Sequence, residues 1–121
     1  MTTAREIQDE LKPAGRRLRA AIPDVYAGYA ALQGAAMGDG ALPAKVKELI
    51  ALAIAATREC DGCIAAHARS AVRRGLTAEE VAEAMGVVIA MNGGPGTVWG
   101  PRAYAAFEEF AGPGGVSPRG S

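Results

Sequence analysis

The run LIALAIAA, Leu49 to Ala56, is eight apolar residues without a break. No other stretch limits the folds open to this chain as strongly. It falls well short of the roughly 18–20 residues that a membrane-spanning helix needs, and it shows no polar alternation of the kind a half-solvated strand requires. A segment that is apolar all round has to be covered on every side, which predicts a helix at the centre of a packed domain. Only 5% of the residues are aromatic although 50% are hydrophobic. The covering therefore has to come from small side chains, which favours helices meeting at short distance.

Turn residues cut the rest of the sequence into pieces of helical length, with neither strand alternation nor an internal repeat, so the spacing predicts an all-helical fold of about five to six helices. The first piece covers about Thr3 to Ala20, with Ile7, Leu11 and Leu18 on its apolar side and Pro13 as a kink or break. The second starts near Pro23, carries Val25, Tyr29, Leu32 and Ala36 at helical spacing, and ends in MGDGALP. The third begins around Pro43 and contains the apolar run; the fourth extends from near Cys60 to a glycine cap at Gly75. LTAEEV then reads as a capping box, Thr77 with Glu80, flanked by a staple of Leu76 and Val81. The helix it opens carries Val81, Met85, Val88 and Ile89, and NGGPG breaks the chain after it. A last helix holds Tyr104, Phe107 and Phe110, with Pro101 at its start or at a bend. Trp99 and these aromatic residues, together with Met85 and Met91, read as packing residues.

At 121 residues the chain suits one domain, assigned to 1–112, with 113–121 as a tail. The closing SPRGS resembles a protease-site remnant and is set aside from the fold. Thirteen basic residues balance thirteen acidic ones, which leaves no net field to hold nucleic acid or an anionic membrane. The N-terminal MTTAREIQDELK lacks the apolar centre of a signal peptide, so the expected location is the cytoplasm. No glycine-rich loop after a strand offers a nucleotide phosphate a cradle.

Both cysteines and the only histidine fall within ECDGCIAAHARS, Glu59 to Ser70. In a reducing compartment a pair of cysteines serves more often as a redox or metal pair than as a permanent cross-link. At 100° per residue, Cys63 falls about −60° and His67 about −20° from Cys60. The three share one narrow face, expected to point inward with Ile64 and Ala71 while Arg69 and Arg73 lie on the far side. Cys63 and His67 are one turn apart, within reach directly or through one water. A CxxC pair at a helix start can close a disulfide, the helix dipole favours a thiolate there, and a neutral imidazole can take the thiol proton. Glu48, one helix earlier, is the candidate to orient that imidazole, since a carboxylate beside an eight-residue apolar run is costly to bury without a partner. The alternative places Glu48 at the rim with Lys45 and Lys47.

Glu48, eleven residues, Cys60, two residues, Cys63, three residues, His67: this pattern resembles the motif of the alkyl hydroperoxide reductase D group of the carboxymuconolactone decarboxylase-like superfamily. The similarity spans roughly Pro23 to Phe110 and includes LPAKVKELIALAIAA, CDGCIAAHARSAVRRGLTAEEVAEA and the NGGPG break. It implies an all-helical subunit that forms trimers or hexamers, and a thiol peroxidase or disulfide reductase without bound metal or other cofactor. Carried over, Cys63 is the attacking thiol, Cys60 the resolving thiol, and His67 with Glu48 a proton relay. A hydroperoxide is the implied substrate, and a lipoyl group or thioredoxin-like protein the implied reductant. The pattern departs at Gly62, the position before the second cysteine, where the group's best-studied members carry a histidine.

Three other readings compete. Two thiolates, an imidazole and a carboxylate match zinc's donor preferences, but three of them lie on one stiff helical face and do not easily surround an ion. Lactone decarboxylation, the superfamily's other activity, or another non-redox reaction would need no paired cysteines. Buried cysteines can also simply fill space in a helical oligomer.

Overall fold

The computed structural model of the chain describes residues 2–113; SPRGS lies outside them. Six helices follow in order, α1 (Ala4–Ala21), α2 (Pro23–Met37), α3 (Ala44–Thr57), α4 (Asp61–Arg73), α5 (Ala78–Asn92) and α6 (Gly94–Ala111), with no strand among the described residues. The ends are set by local chemistry. Thr77 caps α5 and exchanges hydrogen bonds with Glu80 as expected, and Thr3 with Glu6 makes the same reciprocal box at α1. Helix α1 continues through Pro13 rather than breaking there, and α6 begins at Gly94 with Pro101 in its interior.

Helices α3 and α6 pack against each other and each against both α4 and α5, and α1 lies across α4. Their common core holds Leu52, Val81 and Phe107, fully enclosed, and a set of alanines including Ala56, Ala65, Ala68, Ala71 and Ala103. With only a methyl group at these crossings, the backbones can approach closely. The tightest approach joins α5 and α6. A Cβ on Gly96 would fall 2.7 Å from the Ile89 Cα and 2.9 Å from the Val88 carbonyl oxygen, so the NGGPG turn requires glycine at that point. Gly93, at φ 66°, turns the chain between the two helices.

Two expectations about burial are corrected. The helical spacing expected for α2 holds, but its apolar residues lie outside the core: Val25, Tyr29 and Leu32 are each about three-fifths exposed, and α2 packs only lightly, against α1 and α3. Helix α3 is not covered all round, because Ile50 and Ile54 on its outer side are open while Leu52, Ala55 and Ala56 are enclosed. Met91 is 78% exposed, unlike the buried Met85. Each error has one physical origin: periodicity identifies an apolar face but not the body that covers it.

Candidate active site

The link between α3 and α4 is three residues long and almost wholly specified by hydrogen bonds. Glu59 N–H donates to the Ala56 carbonyl and Cys60 N–H to the Ala55 carbonyl, with Glu59 at φ 55°. This pairing is a Schellman ending, and α4 finishes in the same way, with Gly75 at φ 81° and bonds from Gly75 to Val72 and from Leu76 to Ala71. At the α3 end the left-handed position is held by glutamate instead of glycine. The consequence is positional, since Cys60 emerges directly as the N-cap of α4.

Cys60 Sγ accepts the Cys63 N–H at 3.2 Å, and the two cysteines are joined as a disulfide across a Cα–Cα distance of 5.2 Å. The N-cap thus lends one sulfur a backbone donor and the positive end of a helix. Cys63 is exposed, Cys60 and His67 half-buried, and Ile64, Ala68 and Ala71 fully enclosed. The expected inward face is therefore a rim, because the lightly packed α2 leaves its outer side open. Leu11 of α1 rests against the first turn of α4 between the cysteines, where a Cβ on Gly62 would lie 3.3 Å from Leu11 Cδ1.

Glu48 is 4% exposed and its Oε1 lies 2.6 Å from His67 Nδ1. Its burial follows from the phase of α3, where Ala44, Glu48, Leu52 and Ala55 form the enclosed stripe. The neighbouring lysines are engaged elsewhere, Lys45 with Glu80 at 3.1 Å and Lys47 with the Gly38 carbonyl at 2.7 Å. The rim alternative for Glu48 is thereby excluded. With the carboxylate ionised, Nδ1 is the donor of the pair and Nε2 remains the ring's proton acceptor. The imidazole's hydrogen bond goes to Glu48 rather than to a sulfur.

Two clefts meet at His67. One, about 220 Å³, holds Cys60, Cys63 and His67 between walls from Ile54, Ala51 and Met37, with Arg58 and Gln33 at its polar edges. The other, about 330 Å³, is more polar and includes Glu48, His67, Ser70 and Arg74. The structure thus brings together all four residues singled out from the sequence and adds Arg58, Gln33 and Met37. Arg58 stands two residues before Cys60 and was open to notice; Gln33 and Met37 come from α2, and no local signal ties them to the cysteines. Among the described residues no group of three or more His, Cys, Asp or Glu side chains is arranged to hold a metal ion.

The profile of the Carboxymuconolactone decarboxylase family matches residues 23–109. Among curated proteins, an uncharacterized protein of Cupriavidus necator is 41% identical over 86 residues, 71% of this chain and 76% of its own length. A protein of the cox locus of Paracoccus denitrificans is 35% identical over 96 residues, 79% of this chain and 84% of that one. The crystal structure of apo-lpg0406, a carboxymuconolactone decarboxylase family protein from Legionella pneumophila, superposes with a TM-score of 0.87 at 37% identity, covering 90% of this chain and 97% of that one.

Proposed function

The chain belongs to the carboxymuconolactone decarboxylase family, and from that premise we propose that it is a thiol-dependent peroxidase and disulfide reductase of the alkyl hydroperoxide reductase D-like kind. The observation that carries the reading is one shared cleft in which a disulfide-forming CxxC pair stands beside a carboxylate-oriented histidine.

In the reduced protein, His67 Nε2 takes the Cys63 proton, and Glu48, a positioning residue, stabilises the imidazolium that results. The exposed Cys63 thiolate attacks the distal oxygen of a hydroperoxide. An S–O bond forms, the O–O bond breaks, and the alkoxide leaves with the proton held by His67 as an alcohol. Sulfur is oxidised by two electrons to the sulfenic acid and the peroxide is reduced by two. The Cys60 thiol then displaces the sulfenic hydroxyl as water, giving the disulfide.

An external dithiol, a lipoyl group or a thioredoxin-like protein, attacks Cys63 and expels Cys60 as thiolate, which the Cys63 N–H and the α4 N-terminus favour as leaving group. The resulting mixed disulfide is resolved by the donor's second thiol, so two donor thiols become one disulfide. Protomers associate through the apolar surface left open on α2, α3 and α5, which includes Tyr29, Leu32, Ile50 and Val87.

Peroxide consumption with a dithiol donor, compared among wild type, Cys63→Ser, Cys60→Ser and His67→Ala, tests the roles. Cys63→Ser is expected to abolish sulfenic acid formation, and Cys60→Ser to trap it. Cysteines that stay reduced after stoichiometric hydrogen peroxide would overturn the redox reading and leave the His67–Glu48 pair to acid–base chemistry, such as lactone decarboxylation.

A further inference from the structure

The cleft that holds the disulfide is electrically lopsided. Its lining includes one cation, Arg58, and no carboxylate; the Glu48 carboxylate lies behind His67 and is occupied by the imidazole. Glu59 follows Arg58 in sequence, but its left-handed backbone redirects the chain and Glu59 does not line the cleft. No ion pair, hydrogen bond or ring contact engages the Arg58 guanidinium among the described residues, whereas Arg5, Arg19, Arg69 and Arg102 pair or stack; Arg16, Arg17, Arg73 and Arg74 are likewise unengaged, but none of them lines this cleft. The rest of the lining is mainly aliphatic, from Ile54, Ala51, Ala55 and Met37, and Gln33 lines the same cleft.

Resting on the peroxidase reading above, we propose that Arg58 selects the substrate, and that the substrate is a small hydroperoxide bearing a carboxylate at the end remote from the peroxide. A guanidinium presents a planar pair of donors that fits a carboxylate, and the Gln33 amide supplies a further donor. The aliphatic wall covers the hydrocarbon between the two ends while the peroxide reaches Cys63. At about 220 Å³ the cleft lies below the roughly 300 Å³ at which pockets for drug-sized ligands begin, so the hydrocarbon is short. Arg58 is exposed, which limits its pull to that of a solvated ion pair. About a fivefold preference is therefore expected, weakening as salt is added.

The test uses the pre-reduced full chain and follows disulfide formation by quenched-flow alkylation. The oxidants are hydrogen peroxide, cumene hydroperoxide carrying a para-carboxylate, and the methyl ester of that compound. The readout is the ratio of the acid's rate to the ester's, which cancels changes in thiol reactivity common to both. Wild type is expected to favour the acid about fivefold at low ionic strength, with Arg58→Lys keeping part of the preference, Arg58→Gln abolishing it and Arg58→Glu inverting it. A wild-type ratio of one or below, or an unchanged ratio in Arg58→Gln, overturns the assignment while the peroxidase reading stands. Failure of all three oxidants to form the disulfide overturns the peroxidase reading and this inference with it.

Discussion

Glu48 and Glu59 show how much a single glutamate's surroundings decide. Glu48 is enclosed and bound to His67 at 2.6 Å, an arrangement that, with the carboxylate ionised, fixes the ring's tautomer and leaves Nε2 as its proton acceptor. His67→Ala is expected to slow Cys63 oxidation by roughly 10²–10⁴-fold, the usual range for a lost general base. Glu48→Gln preserves the shape but lets the amide donate to Nδ1 in place of the carboxylate, so a loss of roughly a hundredfold is expected in stopped-flow oxidation. Because an enclosed neutral amide is cheaper to bury than a carboxylate, the thermal midpoint should hold or rise; a midpoint that falls together with the rate would make Glu48 a folding residue instead. Glu59 presents the opposite case, a non-glycine at φ 55° where the equivalent ending of α4 has Gly75. The left-handed conformation costs such a residue about 1 kcal/mol or more, so Glu59→Gly should stabilise the protein by about 0.5–1 kcal/mol in urea titration. No gain would mean that the glutamate side chain offsets its own strain.

Helix ends were legible because their chemistry is local. Pro23, Pro43, Gly75, NGGPG and the Thr77–Glu80 box all mark boundaries within a few residues of where they act, and Thr3–Glu6 follows the same T-x-x-E grammar without having been read. The Thr77 box also carries a pH signature. Glu80's carboxyl is held below its ordinary value of 4.5 chiefly by the Thr77 N–H, with help from Lys45 and against partial burial. A carboxyl whose folded value is depressed adds stability above its ordinary value and surrenders it as pH falls through the folded one. Wild type should therefore lose stability below about pH 4.5 more steeply than Glu80→Gln, measured as the difference between their urea midpoints across an acid titration. Thr77→Ala should cost about 1 kcal/mol at neutral pH while leaving most of that difference in place, because the donor that depresses Glu80 is the backbone N–H; parallel acid limbs in Glu80→Gln and wild type would remove Glu80 from the account. Faces were less legible than ends. Placing Glu48 needed only the phase of the Ala44–Leu52 stripe, but the exposure of Val25, Met91 and the outer side of α3 depends on what lies beyond the helix, which its own period does not contain.

At the scale of the whole molecule, the protomer encloses one core and leaves an apolar exterior around it. Val25, Tyr29 and Leu32 line α2, Ile50 and Val87 line an open groove between α3 and α5, and Ile54 and Met91 are exposed elsewhere on those two helices. Exposed aliphatic residues are common singly, but an entire helix without a buried residue is not self-supporting in water, since packing of its apolar face supplies most of a helix's stability. The proposed self-association would supply the missing cover, and the balanced charge sets no strong repulsion against copies of the same chain. Wild type is accordingly expected to sediment as a homotrimer or hexamer at micromolar concentration. Tyr29→Glu combined with Leu32→Glu should shift it toward monomer while the enclosed core of α3 to α6 keeps its fold, because neither side chain belongs to that core. The dissociated protein should also lose part of its peroxide turnover, since Gln33 and Met37 on the same helix wall the cleft beside Cys63. Sedimentation velocity alongside turnover separates the possibilities. A monomeric wild type with full activity would remove self-association from the mechanism, whereas a monomeric double variant with unchanged turnover would show that α2 holds its place on the protomer unaided.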